Sequence, residues 1–520
     1  MLIGDLIARR ARSSPERAFW EGGGVRLDYA ALHGAANRVA RALRAEGLAP
    51  GTHAAICAGN APAYAIAHFG AARAGLVLAH LNARYTATEL GQLVAHSGAA
   101  VLFFGAAQAP QVAEARDALL GVRRYVRLPA APGEPSGPAP DWAVDWDAWL
   151  APHGTADPDD PPALDDAAPF QLLYTSGTTG LPKGALISHR AKLAQGTTHA
   201  LNLGLMPGDR VWSALPLYHQ YAQWLLLVAV PLAGATVVAH AGAGFDAAAC
   251  WAALATDGIT HLPLVPTTLY RLLDAPEAAV GQAPDLRCIV YGGAPIDPGR
   301  IPAVRARFPG VRLFQGFGQT ETGYCLGLHD ADHERRPESL GRPDLYSEVR
   351  LLDAAGREVP DGEVGEIVAR TPYLMNGYHR DPEATAAYFA FGPDWGRTGD
   401  LAVRDAGGYY TLAGRTRELV ISGGVNIYPA EVERVLLGHP AVADAAVFGI
   451  PDADWGEALV AAVVAAPGTA PTPEALDAHC RAVLAAFKCP RAYHLVPHLP
   501  RTLSGKVQKF ALRDTLYGGA

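Results

Sequence analysis

Apolar residues in the first quarter of the chain follow two different spacings. Residues 30–46 repeat apolar side chains every three or four positions, which predicts an amphipathic helix. Short apolar runs at 53–57 and 99–104 predict buried strands, and residues 61–74 predict a helix between them. A strand, a helix and a strand in succession are typical of a parallel α/β architecture.

The same alternation resumes at residue 170 and continues to residue 315. Predicted buried strands in this part are 170–173, 210–215, 234–239, 261–265, 288–291 and 311–315. After Ser347 the pattern changes to short alternating strands separated by glycines, with a hairpin at 401–411 around the turn at 405–408. This second pattern predicts an additional β subdomain.

The last hundred residues have the pattern of a separate, small α+β unit. The spacing predicts helices at 430–437 and 472–486 and strands at 441–449 and 493–496. Pro429 suits a first helical turn, and Thr472 with Pro473 suits a cap followed by a first helical position. We therefore predict a large N-terminal domain, 1–416, and a small C-terminal domain, 417–520.

Composition narrows the class of protein. Half of the residues are hydrophobic and 18% are charged, and 43 basic against 51 acidic residues give a net charge of −8. No stretch is rich in Lys and Arg, so a nucleic-acid partner is not expected. The longest uncharged apolar run, 224–239, is shorter than the ~20 residues of a spanning helix. The N-terminus lacks the pattern of a secretory signal, which predicts a cytoplasmic protein.

Lysine is rare in this chain. It occurs at positions 183, 192, 488, 506 and 509, whereas the other basic residues are arginines. A lysine in a motif is therefore informative. The sequence gives Lys192 and Lys509 no role beyond an ordinary one.

One loop carries the strongest chemical signal. An apolar strand leads into a run of glycines, hydroxyl side chains and one lysine, which includes Thr175, Ser176, Gly177, Thr178, Thr179, Gly180 and Lys183. Successive backbone amides and glycines can form an anion-binding concavity, and the hydroxyls and the ammonium donate to phosphate oxygens. The spacing is not that of a Walker A loop.

This loop closely resembles the phosphate-binding signature of the adenylate-forming (AMP-binding) superfamily of acyl-CoA synthetases, amino-acid adenylation domains and luciferases. Further signatures follow in family order, so the resemblance covers residues 10–515. It implies an α/β fold with a mobile C-terminal domain, and ATP, Mg²⁺ and coenzyme A as co-substrates. Small molecules are thus the expected partners.

The resemblance assigns nucleotide contacts to four later segments. The residues implied are Gly292, Gly293 and Ala294 near adenine, Gln315, Gly316, Phe317 and Gly318 in the next motif, and Asp400 and Arg415 on ribose or phosphate. Thr320 is implied at the α-phosphate. Glu321 is implied as the Mg²⁺ ligand together with Thr178. A carboxylate suits this ion, which prefers one or two carboxylates plus phosphate oxygens. By itself, Asp400 could equally be a turn residue.

The C-terminal part carries the remaining signatures. Arg417 stands where the family swivels its small domain, although Asp or Lys is usual there. Gly423 and Gly424 resemble the segment that lines a thiol tunnel in the second conformation. Lys506 resembles the catalytic lysine. A cation is needed because a carboxylate that attacks an anionic phosphate is repelled by about 4 kcal/mol per charge pair at 4 Å and an effective dielectric of 20.

The segment around His219 resembles the acyl-pocket gate of 4-coumarate:CoA ligases and fatty-acyl-CoA ligases. His219 is the implied gating residue, and Tyr221, Trp224 and Val265 are expected to line an apolar acyl pocket. No aspartate lies between residues 211 and 241 to hold a substrate ammonium, which disfavours amino acids. Core packing alone is an alternative for each aromatic residue.

Two histidines deserve a separate interpretation. His329 and His333 lie four residues apart, but no third metal ligand is evident, and we interpret their polar segment as a solvated loop.

The sequence therefore predicts an AMP-forming acyl-CoA synthetase. A fatty or aryl carboxylic acid and ATP give an acyl-adenylate and pyrophosphate, and coenzyme A then takes the acyl group as the small domain rotates. Two alternatives stay open: an enzyme that loads the phosphopantetheine of a carrier protein, and a non-catalytic nucleotide-binding scaffold.

Overall fold

The computed structural model describes residues 1–130, 137–158, 162–175, 182–240, 244–422, 425–452, 455–501 and 507–518. The chain divides into two compact units. Unit 1 comprises Met1–Pro337, Pro343–Glu348 and Arg370–Gly396, and unit 2 comprises Glu338–Arg342, Val349–Ala369 and Arg397–Ala520. The domain boundary proposed between 416 and 417 lies within unit 2 and stays a prediction.

Helices and strands alternate through most of unit 1. The helices of the described residues are α1 (Ile3–Ser13), α2 (Tyr29–Ala45), α3 (Pro62–Ala74), α4 (Ala87–Ser97), α5 (Ala109–Ala115), α6 (Trp146–Leu150), α7 (His189–Leu203), α8 (Gln220–Trp224), α9 (Val230–Ala233), α10 (Ala247–Thr256), α11 (Pro266–Asp274), α12 (Ile301–Arg307), α13 (Pro382–Tyr388), α14 (Pro429–Leu437), α15 (Pro473–Val483) and α16 (Lys509–Tyr517). A π-helical turn, Leu225–Ala229, joins α8 to α9.

The strands of the described residues are β1 (Ala18–Gly22), β2 (Val25–Asp28), β3 (His53–Cys57), β4 (Val77–Leu81), β5 (Val101–Phe104), β6 (Arg124–Arg127), β7 (Val144–Asp145), β8 (Pro169–Thr175), β9 (Lys183–Ser188), β10 (Arg210–Ser213), β11 (Thr236–Ala239), β12 (His261–Leu264), β13 (Cys288–Gly292), β14 (Arg312–Gln319), β15 (Gly323–Leu328), β16 (Ser339–Pro343), β17 (Glu348–Leu352), β18 (Val364–Arg370), β19 (Gly377–Tyr378), β20 (Gly396–Arg404), β21 (Tyr410–Arg415), β22 (Val420–Ser422), β23 (Val425–Ile427), β24 (Val442–Asp452), β25 (Gly456–Ala465) and β26 (Ala492–Leu495).

Unit 1 contains two large, mainly parallel sheets. One runs in the order β19-β9-β8-β4-β3-β5-β6-β7, and the other contains β15-β14-β13-β12-β10-β11-β1-β2. The pairs β3–β4, β4–β8, β12–β13 and β13–β14 are parallel, whereas β8–β9 and β14–β15 are antiparallel. The predicted α/β class with parallel sheets is confirmed.

Local sequence explains where the helices of unit 1 begin and end. The Asp28 side chain accepts a hydrogen bond from the amide of Ala31 and caps α2, and Thr86 with Glu89 forms a reciprocal cap on α4. Helix α3 ends at Gly75, whose φ of 78° is a left-handed conformation that favours glycine. The ends of α2 and α3 lie within one residue of the predicted ones.

Two strands extend beyond their predicted ends and include residues of the nucleotide motifs. Residues 315–319 form the second half of β14, because β15 pairs antiparallel with it from Gln315 opposite Leu328 to Gln319 opposite Gly323. Similarly, Arg415 is the last residue of β21, where it lies opposite Asp400 of β20. In both cases an antiparallel partner prolongs a strand that the apolar pattern alone would end earlier.

Unit 2 contains two groups of paired strands. One group runs in the order β17-β18-β20-β21-β16, and the other runs β23-β22-β25-β24 with β26 on β25. Pro429 is the first residue of α14, as predicted, and the Thr472 hydroxyl accepts from the amide of Ala475 at the start of α15. Helix α15 ends at Val483, three residues before the predicted end.

All six cysteines, Cys57, Cys250, Cys288, Cys325, Cys480 and Cys489, are buried free thiols. Within the described ranges, no helix combines the length and the apolar character needed to cross a membrane.

Candidate active site

A single tyrosine contacts two of the predicted phosphate and metal residues in unit 1. The Tyr378 hydroxyl donates a hydrogen bond to Glu321 Oε1 at 2.9 Å, and Lys183 Nζ lies 5.1 Å from the centroid of the same ring. Strand pairing produces this arrangement, because β19 places Tyr378 opposite Ala185 of β9, the strand that begins at Lys183. The ammonium and the carboxylate therefore face one aromatic side chain.

Glu321 is held in a buried turn after β14. The residue is 8% exposed, and its carbonyl oxygen accepts a hydrogen bond from Met375 N at 2.8 Å. Burial, and after it the charge of Glu321, raises the pKa of Tyr388 well above its ordinary value. A carboxylate fixed by its backbone and by Tyr378 is suited to hold a cation beside a phosphate group.

Glycines bring the backbones of β13 and β14 close together beside this turn. Gly292 lies opposite Gly316, and a Cβ on Gly292 would come within 2.5 Å of the Gly316 carbonyl oxygen. Gly293 follows with a φ of 83° and is exposed, as is Ala294. A flat ligand can therefore approach this backbone without meeting side chains.

The other residues of the two predicted nucleotide motifs surround these glycines. In the described structure Gln315 is buried, Phe317 and Thr320 are partly exposed, and Gly318 is exposed. Thr320 lies in the same turn as Glu321. Their roles toward the nucleotide stay predictions.

Asp400 and Arg415 form an ion pair in unit 2. The two residues lie directly opposite each other on β20 and β21, and Arg415 Nε is 2.8 Å from Asp400 Oδ1. The Asp400 side chain is 3% exposed. The alternative that Asp400 is a turn residue is wrong, because the register of the strand pair places it within β20.

Glu366 supports the segment that leads to Asp400, although no motif in the sequence points to it. Arg397 donates to both carboxylate oxygens of Glu366, and Gly399 N donates to the same carboxylate at 3.1 Å. Glu366 is 6% exposed. A bidentate arginine–carboxylate pair fixes orientation as well as distance.

The predicted hinge residue, Arg417, lies in the 3₁₀ turn Thr416–Glu418 directly after β21. The next residue, Glu418, contacts Lys509 of α16 at 3.0 Å, and Lys509 also contacts Glu433 of α14 at 2.8 Å. Burial alone would lower the pKa of Lys509, but the carboxylates of Glu433 and Glu418 outweigh burial and raise it. One ammonium thus connects the turn to two helices.

The predicted gate begins helix α8 of unit 1. His219 precedes the helix, and its ring lies 4.7 Å from that of Tyr218. The Tyr221 hydroxyl donates to the carbonyl of Val290 in β13 at 2.9 Å, and its ring stacks on Trp224 with centroids 5.4 Å apart. Trp224 is buried. The gate helix is therefore fixed against strand β13.

Val265 lies near the exposed glycine of the adenine motif. Its Cγ1 is 3.8 Å from the position that a Cβ on Gly293 would take. Its backbone amide donates to the Thr268 hydroxyl at 3.1 Å, which fixes the start of α11. The use of Tyr221, Trp224 and Val265 as an acyl pocket stays a prediction.

Several predicted site residues lie outside the described residues. They are Ser176, Gly177, Thr178, Thr179, Gly180, Gly423, Gly424 and Lys506. Thr175, the last residue of β8, lies opposite Lys183. It therefore places the described end of the phosphate loop next to the lysine.

The solvated-loop interpretation is wrong for His333. This residue is fully buried, and its ring nitrogens contact the Tyr291 hydroxyl and the carbonyl of His329, each at 2.9 Å. The histidine therefore belongs to the packing of unit 1, where it lies against strand β13. His329 itself is exposed.

Comparison with known proteins defines the class. Residues 7–379 match the family model described as AMP-binding enzyme, and residues 431–506 match the one described as AMP-binding enzyme C-terminal domain. The chain belongs to the AMP-binding enzyme family. The resemblance inferred from the motifs is confirmed, and the relatives below support the acyl-CoA synthetase branch.

The chain is 36% identical over 512 residues to a feruloyl-CoA synthase of Amycolatopsis sp, covering 98% of each chain. It is also 36% identical over 512 residues to a sulfoacetate–CoA ligase of Cupriavidus necator, covering 98% of this chain and 96% of the relative. The crystal structure of ATP-bound MatB from Rhodopseudomonas palustris matches with a TM-score of 0.88 and 28% identity over 99% of both chains.

Proposed function

We propose that this protein is an AMP-forming acid–thiol ligase. In the first half-reaction the carboxylate of a fatty or aryl acid attacks the α-phosphorus of ATP, which gives an acyl-adenylate and releases pyrophosphate. In the second, the thiol of coenzyme A attacks the acyl carbon, a proton is lost, and AMP leaves. The observation that carries this proposal is the contact of Tyr378 with both Lys183 and Glu321.

Each predicted residue has a part in this proposal. Thr175 to Gly180 and Lys183 bind phosphate, the motifs at 292–294 and 315–318 contact adenine, and Asp400 with Arg415 binds ribose. Thr320 contacts the α-phosphate. His219 gates the acyl pocket of Tyr221, Trp224 and Val265.

Glu321, with Thr178, would hold Mg²⁺. The ion takes one or two carboxylates plus phosphate oxygens, which fits a single buried glutamate that shares Tyr378 with Lys183. No group of three potential metal-binding side chains occurs among the residues whose placement is described, so an all-protein cage is not an alternative in that part. When bound, Mg²⁺ neutralises phosphate charge.

The C-terminal domain, 417–520, is proposed to rotate about Arg417 between the two half-reactions. Lys506 serves adenylation, and Gly423 with Gly424 lines the passage for the thiol. An element-terminal turn such as Thr416–Glu418 is a suitable place for the backbone change. A cytoplasmic location is part of the same proposal.

The Lys506→Ala variant tests the chemistry. We expect pyrophosphate release to fall ~10²-fold or more, the scale of losing a preorganised transition-state donor, while thioester formation from preformed acyl-AMP persists. Arg481→Ala is the control, because it removes a positive charge of unit 2 whose ion pair among the described residues is with Asp477 on its own helix. Equal losses in both half-reactions would contradict the assignment.

A screen of carboxylic acids distinguishes the alternatives. Pyrophosphate release followed by a coenzyme A thioester supports the ligase. Acyl transfer to a carrier protein but not to free coenzyme A supports the first alternative, and ATP left intact with every acid supports the scaffold.

A further inference from the structure

A lysine that forms no ion pair with any described carboxylate lies in the interior of unit 1. Lys192 of α7 is 1% exposed, and its ammonium donates to Gln220 Oε1. The Gln220 amide in turn donates to Gln195 Oε1 at 3.0 Å. Among the described residues Lys192 forms no ion pair, and burial alone lowers its pKa well below the usual range. Burying an unpaired ammonium is costly, so the position calls for an explanation.

Three buried imidazoles accompany this lysine. His68 of α3, His80 of β4 and His199 of α7 are each at most 2% exposed. Burial, and after it the charge of Lys192, lowers the pKa of His68 and His199, and Lys192 also contributes at His80. The four side chains, the Lys192 cluster, are therefore electrostatic neighbours.

The Lys192 cluster offers hydrogen-bonding atoms that the described residues do not use. Both ring nitrogens of His68 and of His199, and Nε2 of His80, have no hydrogen-bond partner in the described part of the chain. A neutral imidazole has one N–H and one acceptor nitrogen, and an ammonium has three N–H groups. The unused N–H donors of the cluster therefore outnumber its unused acceptors. An oxyanion, which only accepts hydrogen bonds, matches such a set of groups.

The Lys192 cluster adjoins the predicted acyl pocket. Gln220, the partner of Lys192, stands between the gate residue His219 and Tyr221. The His199 ring lies 3.7 Å from Trp224, which stacks on Tyr221. A continuous set of contacts therefore leads from the gate helix to the buried lysine.

We infer that the Lys192 cluster binds the far end of the acyl substrate, and that the preferred acid carries a second oxyanion there, either a carboxylate or a sulfonate. This inference rests on the proposed function. The reacting carboxylate lies toward the nucleotide, and the second anionic group supplies the negatively charged partner that Lys192 lacks among the described residues.

Matched pairs of acids test the inference. Linear dicarboxylic and sulfonated acids are compared with monocarboxylic acids of the same length by kcat/KM for pyrophosphate release. The wild type is expected to prefer the acids with two anionic ends. Lys192→Met is expected to lose ~30-fold or more with these acids, the scale of removing one partner of a buried charge pair, and to keep its rate with the plain acids.

Gln195→Met is the control, because it removes a polar group from the same buried face of α7 and leaves the ammonium in place. It should change the rates of both kinds of acid alike and keep the preference for the anionic ones. Thermal unfolding midpoints distinguish a role of Lys192 in substrate binding from a role in the stability of the fold. Lys192→Met should unfold at a higher temperature without substrate, because an unpaired buried ammonium has been replaced by an apolar side chain.

Three outcomes would overturn the inference. The wild type could prefer plain acids, or Lys192→Met could lose kcat/KM equally with both kinds of acid. A lower unfolding midpoint of Lys192→Met would also contradict it, because the lysine would then already be satisfied, for instance by bridging water. Calorimetric binding of the dicarboxylic acids without ATP gives a readout independent of turnover. Binding that depends on Lys192 without pyrophosphate release would refute the proposed function and keep the site.

Discussion

Tyr378 is the residue on which the geometry of the candidate site depends. It lies 57 positions from Glu321 in the sequence, and its ring contacts Lys183 while its hydroxyl orients the carboxylate. No spacing rule connects such distant positions. The pairing of β19 with β9 brings Tyr378 to Lys183, and the Met375 amide holds the turn that carries Glu321, so the tyrosine could not be found from the motifs.

We expect Tyr378→Phe to impair adenylation without unfolding the protein. The substitution removes a hydrogen bond to a charged group, which contributes ~1.5–3 kcal/mol, and leaves the ring next to Lys183. Pyrophosphate release at limiting acid should fall about 10-fold or more, and the Mg²⁺ concentration for half-maximal rate should rise. An unchanged Mg²⁺ dependence would contradict a role in orienting Glu321.

Tyr388→Phe is a matched control. The Tyr388 ring lies 6.2 Å from that of Tyr378, but its hydroxyl has no hydrogen-bond partner among the described residues. Removing a buried hydroxyl that makes no hydrogen bond costs little or is favourable. This variant should keep its Mg²⁺ dependence and at least its stability.

Motif residues were easier to predict than the contacts that hold them. Asp400 could be selected from its sequence context, but its pairing with Arg415 depends on strand register. Lys192 was given no role because one lysine on a helix has many ordinary explanations. The spacing of polar residues did contain an indication of the Lys192 cluster, because His189, Lys192 and His199 all lie on the buried face of α7.

At the scale of elements, the gate helix is not a regular α-helix. Between α8 and α9 the turn Leu225–Ala229 is π-helical, and such turns are frequent at functional sites. Gly196 of α7 packs against it, because a Cβ there would lie 2.4 Å from Val228 Cγ1. The missing side chain allows the two segments to approach closely.

Gly196→Ala should therefore destabilise the protein and weaken binding of the acid. Alanine favours a helix by about 1 kcal/mol over glycine, but overpacking against Val228 costs about 1–3 kcal/mol and displaces the helix that follows His219. Chemical denaturation and the KM for the acid measure the two effects.

Gly91→Ala in α4 is the comparison, because the added Cβ would lie 3.3 Å from the Ala118 Cβ, a far smaller overlap. Its free energy of unfolding should stay within about 1 kcal/mol of the wild type. A Gly196→Ala variant that is as stable as Gly91→Ala would show that the close approach is unimportant.

Most elements of unit 1 were predictable because its buried strands are short apolar runs and its helices begin at caps. Strand β3 and helix α2 agree with the pattern. The predicted and observed elements differ where contacts with distant parts of the chain set the end or the type of an element. Strand β14 is prolonged by β15, and the π-helical turn lies in an apolar run whose residues satisfy either kind of helix.

At the scale of the whole molecule, unit 1 contains several fully buried histidines. His68, His80, His189, His199 and His261 are each at most 2% exposed. Burial lowers the pKa of His68 to about 3 and of His189 and His261 to about 4, and it also lowers those of His80 and His199. An unfolded histidine titrates near ~6.5.

This difference predicts a loss of stability in mild acid. Between pH ~6.5 and ~4 the unfolded chain binds more protons than the folded one. Stability is therefore full above pH ~6.5 and falls by about 1.4 kcal/mol per pH unit for each such histidine. The unfolding midpoint measured from pH 7.5 to 5 should drop steeply, well before carboxylates are protonated.

His261→Gln tests the origin of that slope. The variant should take up about one proton fewer on unfolding in this pH window. A midpoint that stays level down to pH 5 in the wild type would contradict the neutral state of these side chains.

The burial of every cysteine has a practical consequence. Four thiols belong to unit 1 and two, Cys480 and Cys489, to unit 2. Burial raises the pKa of Cys57 to about 12 and of Cys288 to about 11, so these thiols are protonated as well as inaccessible in the native state. Alkylation followed by peptide mass spectrometry therefore reports the opening of each unit separately. The six native cysteines serve as the probes, so no substitution is needed.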